Sequence, residues 1–281
     1  MIKIGEYNEL KIVRKCDFGF YLDAETGKTS DDVLIPLKEF DEKEVSIGDV
    51  LNVFVYRDSK DRPIATLRKP YAKVSDLAYL KVISNTKIGA FVDFGLERDL
   101  FVPMKEQQYL LEPGKSYLFY VYVDKTGRLA ATTDIEEYLE PADESFINME
   151  VSGTAYGFQT NGSVKVAVNN KYIGVILKNE YFNRISPGEE LNDLRVKKVF
   201  EDGKLSLTPR KSPKNERLAL EDTIYEYLKS HNGFMEFNDK SSPEDIKRVF
   251  HESKNYFKNA LGGLMKKGLI IQDETGTRLK Q

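Results

Sequence analysis

The chain holds one cysteine and two histidines in 281 residues, and both scarcities exclude chemistry. Cys16 alone cannot form an internal disulfide, and it suits a reducing compartment. A lone thiol on a strand is more often a small core residue than a nucleophile. His231 and His251 lie near the C-terminus, and no histidine–cysteine cluster has zinc-binding spacing. His231 closes a helical pattern, where contact with the helix dipole is the simpler account. Gly27-Lys28-Thr29 and Gly114-Lys115-Ser116 occur, but Leu22 and Tyr109 stand where a phosphate-cradling Gly-x-x-x-x-Gly-Lys-Ser/Thr loop needs its first glycine, so neither completes that motif. The acidic doublets Asp31-Asp32, Glu136-Glu137 and Glu189-Glu190 are adjacent in sequence. Adjacent strand residues face opposite ways, so a doublet does not make a two-carboxylate metal site. The expectation is a protein that is not an enzyme and needs no cofactor and no metal. No apolar run is long enough to span a membrane. The opening residues, Met1-Ile2-Lys3-Ile4-Gly5-Glu6, carry no apolar secretory stretch, which makes the cytoplasm the expected location.

Hydrophobic residues make up 41% of the chain and charged residues 31%, an ordinary balance for folded domains with solvated surfaces. The net charge of −3 is unevenly spread. Residues 1–68 carry −3, residues 69–140 carry −2, and the segments 141–213 and 214–281 carry +1 each. Eight basic residues against three acids lie between Arg195 and Arg217. Phosphate binding follows local potential, so such a strip can act on a mildly acidic chain. A solvated linker is the competing reading.

The run Lys87-Ile88-Gly89-Ala90-Phe91-Val92, closing with Asp99-Leu100-Phe101-Val102-Pro103, reads as two short strands around a turn. Alternation puts Phe91 on the face opposite Ala90 and Val92. The order recurs: Gly19 corresponds to Gly89, Tyr21 to Phe91, and Pro36 to Pro103. Both copies end alike. Ile47-Gly48-Asp49 leads into Val50 to Tyr56, and Pro113-Gly114-Lys115 leads into Tyr117 to Val123. Each then turns through a polar loop into a last short strand, a hairpin signal. A period near seventy residues, with strands throughout, indicates tandem small barrels. The run resembles the second and third strands of an S1 module, a five-stranded barrel of the OB type. That resemblance implies bases stacked on strand aromatics and phosphates tracked by nearby Lys and Arg.

A third, degenerate copy ends at Ser186-Pro187-Gly188 and Leu205 to Thr208, and two registers are open for its front half. Tyr156-Gly157-Phe158 fills the glycine–aromatic position in one. Gly162-Ser163-Val164-Lys165 fills it in the other, which leaves no stacking ring. Candidate stacking residues are therefore Phe18, Tyr21, Phe91, Tyr156 and Phe158, each set against a core reading. Of Tyr117, Phe119 and Val121 against Leu118, Tyr120 and Tyr122, one set is core.

After residue 213 the pattern changes. Leu220, Ile224, Tyr227 and Leu228 share one helical face, and His231-Asn232-Gly233 stops that helix. Phe234 to Phe237 reads as a short strand. Ser242-Pro243-Glu244-Asp245 is a helix start, with a serine cap, proline at the first position and acids in the first turn. A third helix runs from Ser253 to Lys267-Gly268, and a hairpin follows, turning at Asp273 to Gly276. Helix, strand, helix, helix, hairpin is the order of a winged helix, whose third helix can enter a groove.

Three S1-like modules before such a domain resemble the conserved virulence factor B family of bacterial proteins, also called the YitL family. The residues that carry this are the strands ending at Pro36 and Pro103, the Ile88 to Val92 core, and the tail from Asn259 to Ile270. The fold class expected is mainly β: three tandem S1/OB-type five-stranded barrels, then an α+β winged-helix domain. The expected bounds are 1–68, 69–140, 141–213 and 214–281. The resemblance implies RNA binding and an effect on the expression of other genes, virulence factors included. In one respect the chain departs from common S1 modules, which carry a histidine on the third strand where Ile35 and Val102 stand here. The candidate RNA-binding set adds Lys87, Lys165, Arg195, Lys197, Lys198, Arg210, Lys211, Lys254 and Lys258 to the five aromatics. Single-stranded RNA is the expected partner. Open beside it stand duplex DNA bound by the winged helix, a ribonuclease or its accessory subunit, and a protein scaffold on the RNA or translation machinery.

Overall fold

The computed structural model describes residues 2–40, 44–181, 183–210 and 213–280. The chain divides into two compact units, Met1–Pro209 and Arg210–Gln281. The first unit contains three closed five-stranded barrels.

Barrel 1 is built from β1 (Tyr7–Cys16), β2 (Gly19–Leu22), β3 (Val33–Pro36), β4 (Val50–Arg57) and β5 (Pro63–Thr66). Barrel 2 uses β6 (Leu77–Asn85), β7 (Gly89–Val92), β8 (Leu100–Pro103), β9 (Ser116–Val123) and β10 (Leu129–Thr132). Barrel 3 uses β11 (Glu150–Phe158), β12 (Val164–Val168), β13 (Tyr172–Ile176), β14 (Glu190–Val199) and β15 (Leu205–Thr208). The strand order is the same in all three, with the third strand of each barrel closing in parallel on the fifth. The first strand of each carries an irregularity at one equivalent place: between Ile12 and Arg14, Val82 and Ser84, and Ala155 and Gly157. A bulge leaves one extra residue unpaired and bends the strand. Here the extra residues are Val13, Ile83 and Tyr156.

The pairing decides between the two registers of barrel 3. Val164 opposes Ile176 and Lys165 opposes Val175, so Ser163 stands in the place of Gly19 and Gly89. Lys165 then takes the place of Tyr21 and Phe91.

Strands buried on both faces join the barrels. Val53, Phe54 and Val55 are all fully buried, although neighbours on a strand point opposite ways. Val53 and Val55 fill barrel 1, while Phe54 joins the core cluster of barrel 2 beside Phe94 and Phe119. In β9, Tyr117 and Phe119 fill barrel 2, and Leu118 packs outward with Ile135, Leu139, Tyr156 and Ala167. The Tyr79 hydroxyl donates to the Gly188 carbonyl at 2.6 Å, linking barrels 2 and 3.

The second unit has α1 (Pro213–Ser230), β16 (Phe234–Met235), α2 (Pro243–Phe250), α3 (Lys254–Lys266), β17 (Ile270–Asp273) and β18 (Gly276–Leu279). Its sheet order is β16-β18-β17. Ser242 caps α2 with Pro243 at its first position, and Ser253 caps α3. Leu220, Ile224 and Leu228 of α1 are buried against Phe257, Leu261 and Leu264 of α3. His231 directly follows the last turn of α1, its Nδ1 2.8 Å from the Tyr227 carbonyl oxygen.

Two adjacent glycines in α3 differ in what surrounds them. A Cβ on Gly263 would fall 1.8 Å from Oε1 of Glu221, while a Cβ on Gly262 would meet nothing within 4 Å. Glu221 is buried on α1, with Arg217 Nε 3.2 Å and Lys267 Nζ 2.6 Å from its two oxygens. Neither contact has hydrogen-bond alignment, so charge holds the carboxylate there. Helix propensity alone favours alanine over glycine by about 1 kcal/mol. Gly262→Ala is therefore expected to stabilise this unit slightly. Gly263→Ala is expected to destabilise it by about 1–3 kcal/mol, because the methyl displaces the carboxylate. All three α-helices among the described residues lie in this unit, so thermal loss of the helical circular-dichroism signal reads it directly. A stabilising Gly263→Ala would contradict the Glu221 packing.

Candidate nucleic-acid interface

The outward face of barrel 2 is built by the β7–β8 hairpin. Gly89 opposes Pro103 and Phe91 opposes Phe101. Ala90, Val92, Leu100 and Val102 point into the barrel and are buried; Phe91 and Phe101 point out and are half-buried. A Cβ on Gly89 would lie 2.3 Å from the Val102 carbonyl oxygen and 2.7 Å from the Phe101 ring. Glycine is what lets the strand and the ring come this close. The two rings lie 5.2 Å apart between centroids at 44°, and form an aromatic floor.

The floor opens into a groove of about 350 Å³. Its other wall comes from barrel 1, through Tyr56, Arg57, Ser59 and Asp61. Arg98, Asp99 and Arg128 of barrel 2 line it as well. The two barrels are clipped together along it. Arg57 Nε donates to the Gly127 carbonyl at 2.8 Å, and Arg128 pairs with Asp61. The hydrogen bond from Arg128 holds the Asp61 carboxyl below the usual carboxylate range. Asp99 is shifted the other way, by partial burial and then by the nearby Asp93. Among the described residues, neither Arg98 nor Asp99 has a hydrogen-bond or ion-pair partner. A ring floor beside an unpaired cation, here Arg98, is an arrangement that suits a flexible polyanion with planar bases.

Phe91 and Lys87 lie on this face, Lys87 exposed at the turn before the floor. Phe18 is 59% exposed at the tip of the equivalent turn in barrel 1, where barrel 2 has Ile88. Tyr21 holds the place of Phe91, but its ring is covered: the Arg14 guanidinium carbon sits 4.0 Å from the ring centroid.

Barrel 3 departs most from expectation. Tyr156 is only 5% exposed, wedged in the apolar cluster between barrels 2 and 3, and has no face open to a base. Burial, then Glu136 and Asp134, raise its hydroxyl pKa far above the ordinary tyrosine value. Its place at the bulge is the physical reason, since the extra residue is turned out of the barrel toward its neighbour. Phe158 is exposed, but opposite Val164, outside the stacking position. Lys165 is half-buried, with its Nζ 2.5 Å from a Glu136 carboxylate oxygen, so its charge is already met. Lys197 pairs with Glu180 at 2.7 Å. Arg195 is half-buried, and its Nε finds no hydrogen-bond partner among the described residues. Lys198 is exposed, with its Nζ 4.5 Å above the Phe200 ring, in a shallow groove shared with Lys204.

Arg210 is half-buried and belongs to the C-terminal unit, and Lys211 lies outside the described residues. On α3, Lys258 is exposed, and Lys254 donates to the Lys240 carbonyl at 3.4 Å. Phe101, Arg98, Asp99, Arg57 and Arg128 were not among the expected residues. The alternation Leu100-Phe101-Val102 carried the signal for Phe101. Nothing local marks the arginines, because two barrels must meet before they share a groove.

Among the described residues, no three His, Cys, Asp or Glu come together in a way that could hold a metal ion. No helix among them is long and apolar enough to cross a membrane. The S1 domain family model matches residues 4–68 and 77–134, the first and second barrels. The model of the CvfB-like winged helix domain matches residues 222–279. YitL of Bacillus subtilis strain 168 is 32% identical over 99% of this chain and 94% of its own length. Conserved virulence factor B of Staphylococcus epidermidis RP62A is 34% identical over 84% of this chain and 81% of its own.

The chain belongs to the conserved virulence factor B family. Among solved structures, it is similar to a Streptococcus pneumoniae TIGR4 protein described as multidomain with nucleic acid binding domains. That match has a TM-score of 0.53 and 27% identity, over 99% of this chain and 98% of the other. The family's domains are of nucleic-acid-binding kinds, its name ties it to virulence, and neither matched domain family is a catalytic one.

Proposed function

We propose that this chain is a non-enzymatic, cytoplasmic protein that binds single-stranded RNA and regulates gene expression after transcription, virulence factors included. The observation that carries this is the groove of barrel 2. It has two outward rings, an exposed Arg98, and Arg57 and Arg128 along one side. Stacking on rings tolerates sequence, and only an unpaired strand can present base faces to them. Lys198 beside Phe200, with Arg195 on the same strand of barrel 3, is proposed as a second phosphate-contacting stretch.

One observation favours a second reading. α3 carries Lys254, Lys258 and Lys266 and no acid, which suits the backbone of a duplex. Fluorescence anisotropy with labelled single-stranded RNA, single-stranded DNA and duplex DNA separates the two. Single-stranded RNA is expected to bind tightest. Its affinity is expected to fall roughly tenfold or more for a fourfold rise in salt, as about three phosphate contacts require. A preference for duplex DNA, or affinity indifferent to salt, would overturn the proposal.

A further inference from the structure

The three barrels carry the same backbone and differ at three positions that meet on one face. The first is on the first strand beyond the bulge: Arg14, Ser84 and Gly157. The second is the outward residue of the second strand: Tyr21, Phe91 and Lys165. The third precedes the third strand's pairing with it: Asp32, Asp99 and Ile173.

In barrel 1 these positions hold a guanidinium. Arg14 lies with its central carbon 4.0 Å from the Tyr21 ring centroid, and its terminal nitrogen is 3.6 Å from a carboxylate oxygen of Asp32. Ring below and carboxylate at the edge together bind a flat, fork-shaped donor. Barrel 2 keeps the ring and the carboxylate but has a serine where the arginine was. Ser84 is too short to reach either group. Phe91 and Asp99 both line the groove, and Asp99 has no hydrogen-bond or ion-pair partner among the described residues. Barrel 3 has lost both ring and carboxylate.

Guanine is the base whose edge copies a guanidinium. Its N1–H and N2–H₂ point the same way and donate side by side to one carboxylate. Uracil offers a single N–H between two carbonyls, which a carboxylate repels. Adenine and cytosine place a ring acceptor beside their amino group. Resting on the reading of barrel 2 as an RNA-binding face, we propose that this site selects guanine, stacked on Phe91 with N1–H and N2–H₂ donated to Asp99.

The test titrates the full chain with labelled oligouridine carrying one central guanosine. The same strand with inosine, which lacks the N2 amino group, and all-uridine RNA serve as comparisons. A bidentate edge contact predicts about tenfold tighter binding of the guanosine strand. Asp99→Asn replaces one acceptor oxygen with a donor, and is expected to reduce the preference to within about twofold. Asp99 is exposed, so this change leaves the fold intact. Ser84→Arg recreates the barrel 1 arrangement in barrel 2 and is expected to remove the preference by filling the site.

Guanosine preference lost in both variants supports the inference. RNA binding without that preference, or with a preference that survives both variants, overturns the inference and leaves RNA binding standing. An arginine-rich peptide that binds through Asp99, with no RNA bound at all, overturns the inference and the RNA reading together.

Discussion

Phe54→Ala is expected to lower the stability of the N-terminal unit by about 3–5 kcal/mol, the range for removing a fully buried phenylalanine. The ring has no exposed surface, and it contacts Tyr7 at 5.6 Å and Phe94 at 6.2 Å between centroids. Its backbone belongs to barrel 1 and its side chain to the core cluster of barrel 2. The loss is therefore expected in both barrels at once. No relaxation fills the space readily, because Val53 and Val55 on either side are committed to the barrel 1 interior. Hydrogen exchange on the intact chain reads this directly. Amides of β4 and of β9 are expected to lose protection together. Normal protection in β9, with loss confined to barrel 1, would mean that the shared core does not couple the barrels.

Phe91→Ala is expected to weaken single-stranded RNA binding by roughly 5- to 150-fold, from about 1–3 kcal/mol per stacked base. Phe101→Ala is expected to fall in the same range. The rings touch, so the double substitution is expected to cost less than the two single losses added. Both rings point out of the barrel, so the β-rich circular dichroism and the midpoint of the first unit should change little. Tyr21→Ala provides the contrast. Its ring is already covered by Arg14, and affinity is expected to move by less than about twofold. Equal losses from Tyr21→Ala and Phe91→Ala would place the binding face elsewhere.

Much of the fold was legible because the repeat exposes it. Gly19 with Gly89 and Pro36 with Pro103 aligned two barrels, and the pairing keeps both correspondences. The Ser242-Pro243 cap placed α2, because capping depends on neighbours in sequence. Barrel 3 was harder, because its equivalents are Ser163 and Lys165, which carry none of the same chemistry. Tyr156 shows where residue type misleads. An aromatic beside a glycine signals a stacking face only if the backbone there is regular, and here a bulge turns the ring into a seam. Arg14 shows a second limit: alternation marked Tyr21 as outward, but not that another side chain would lie on it. The glycine pair in α3 shows a third. Gly262 and Gly263 look alike in sequence, and only the position of Glu221 on another helix separates them.

The seam around Leu118, Ile135, Leu139 and Tyr156 bears on how the chain can be taken apart. Cutting after barrel 2 would bare Leu118, Ile135 and Leu139 to water, and a piece beginning with barrel 3 would bare Tyr156 and Ala167. Such fragments are candidates for self-association through the uncovered faces. A truncation that no longer binds would then report a sticky wound rather than a missing site. Point substitutions in the intact chain assign roles to the barrels more safely than dissection does.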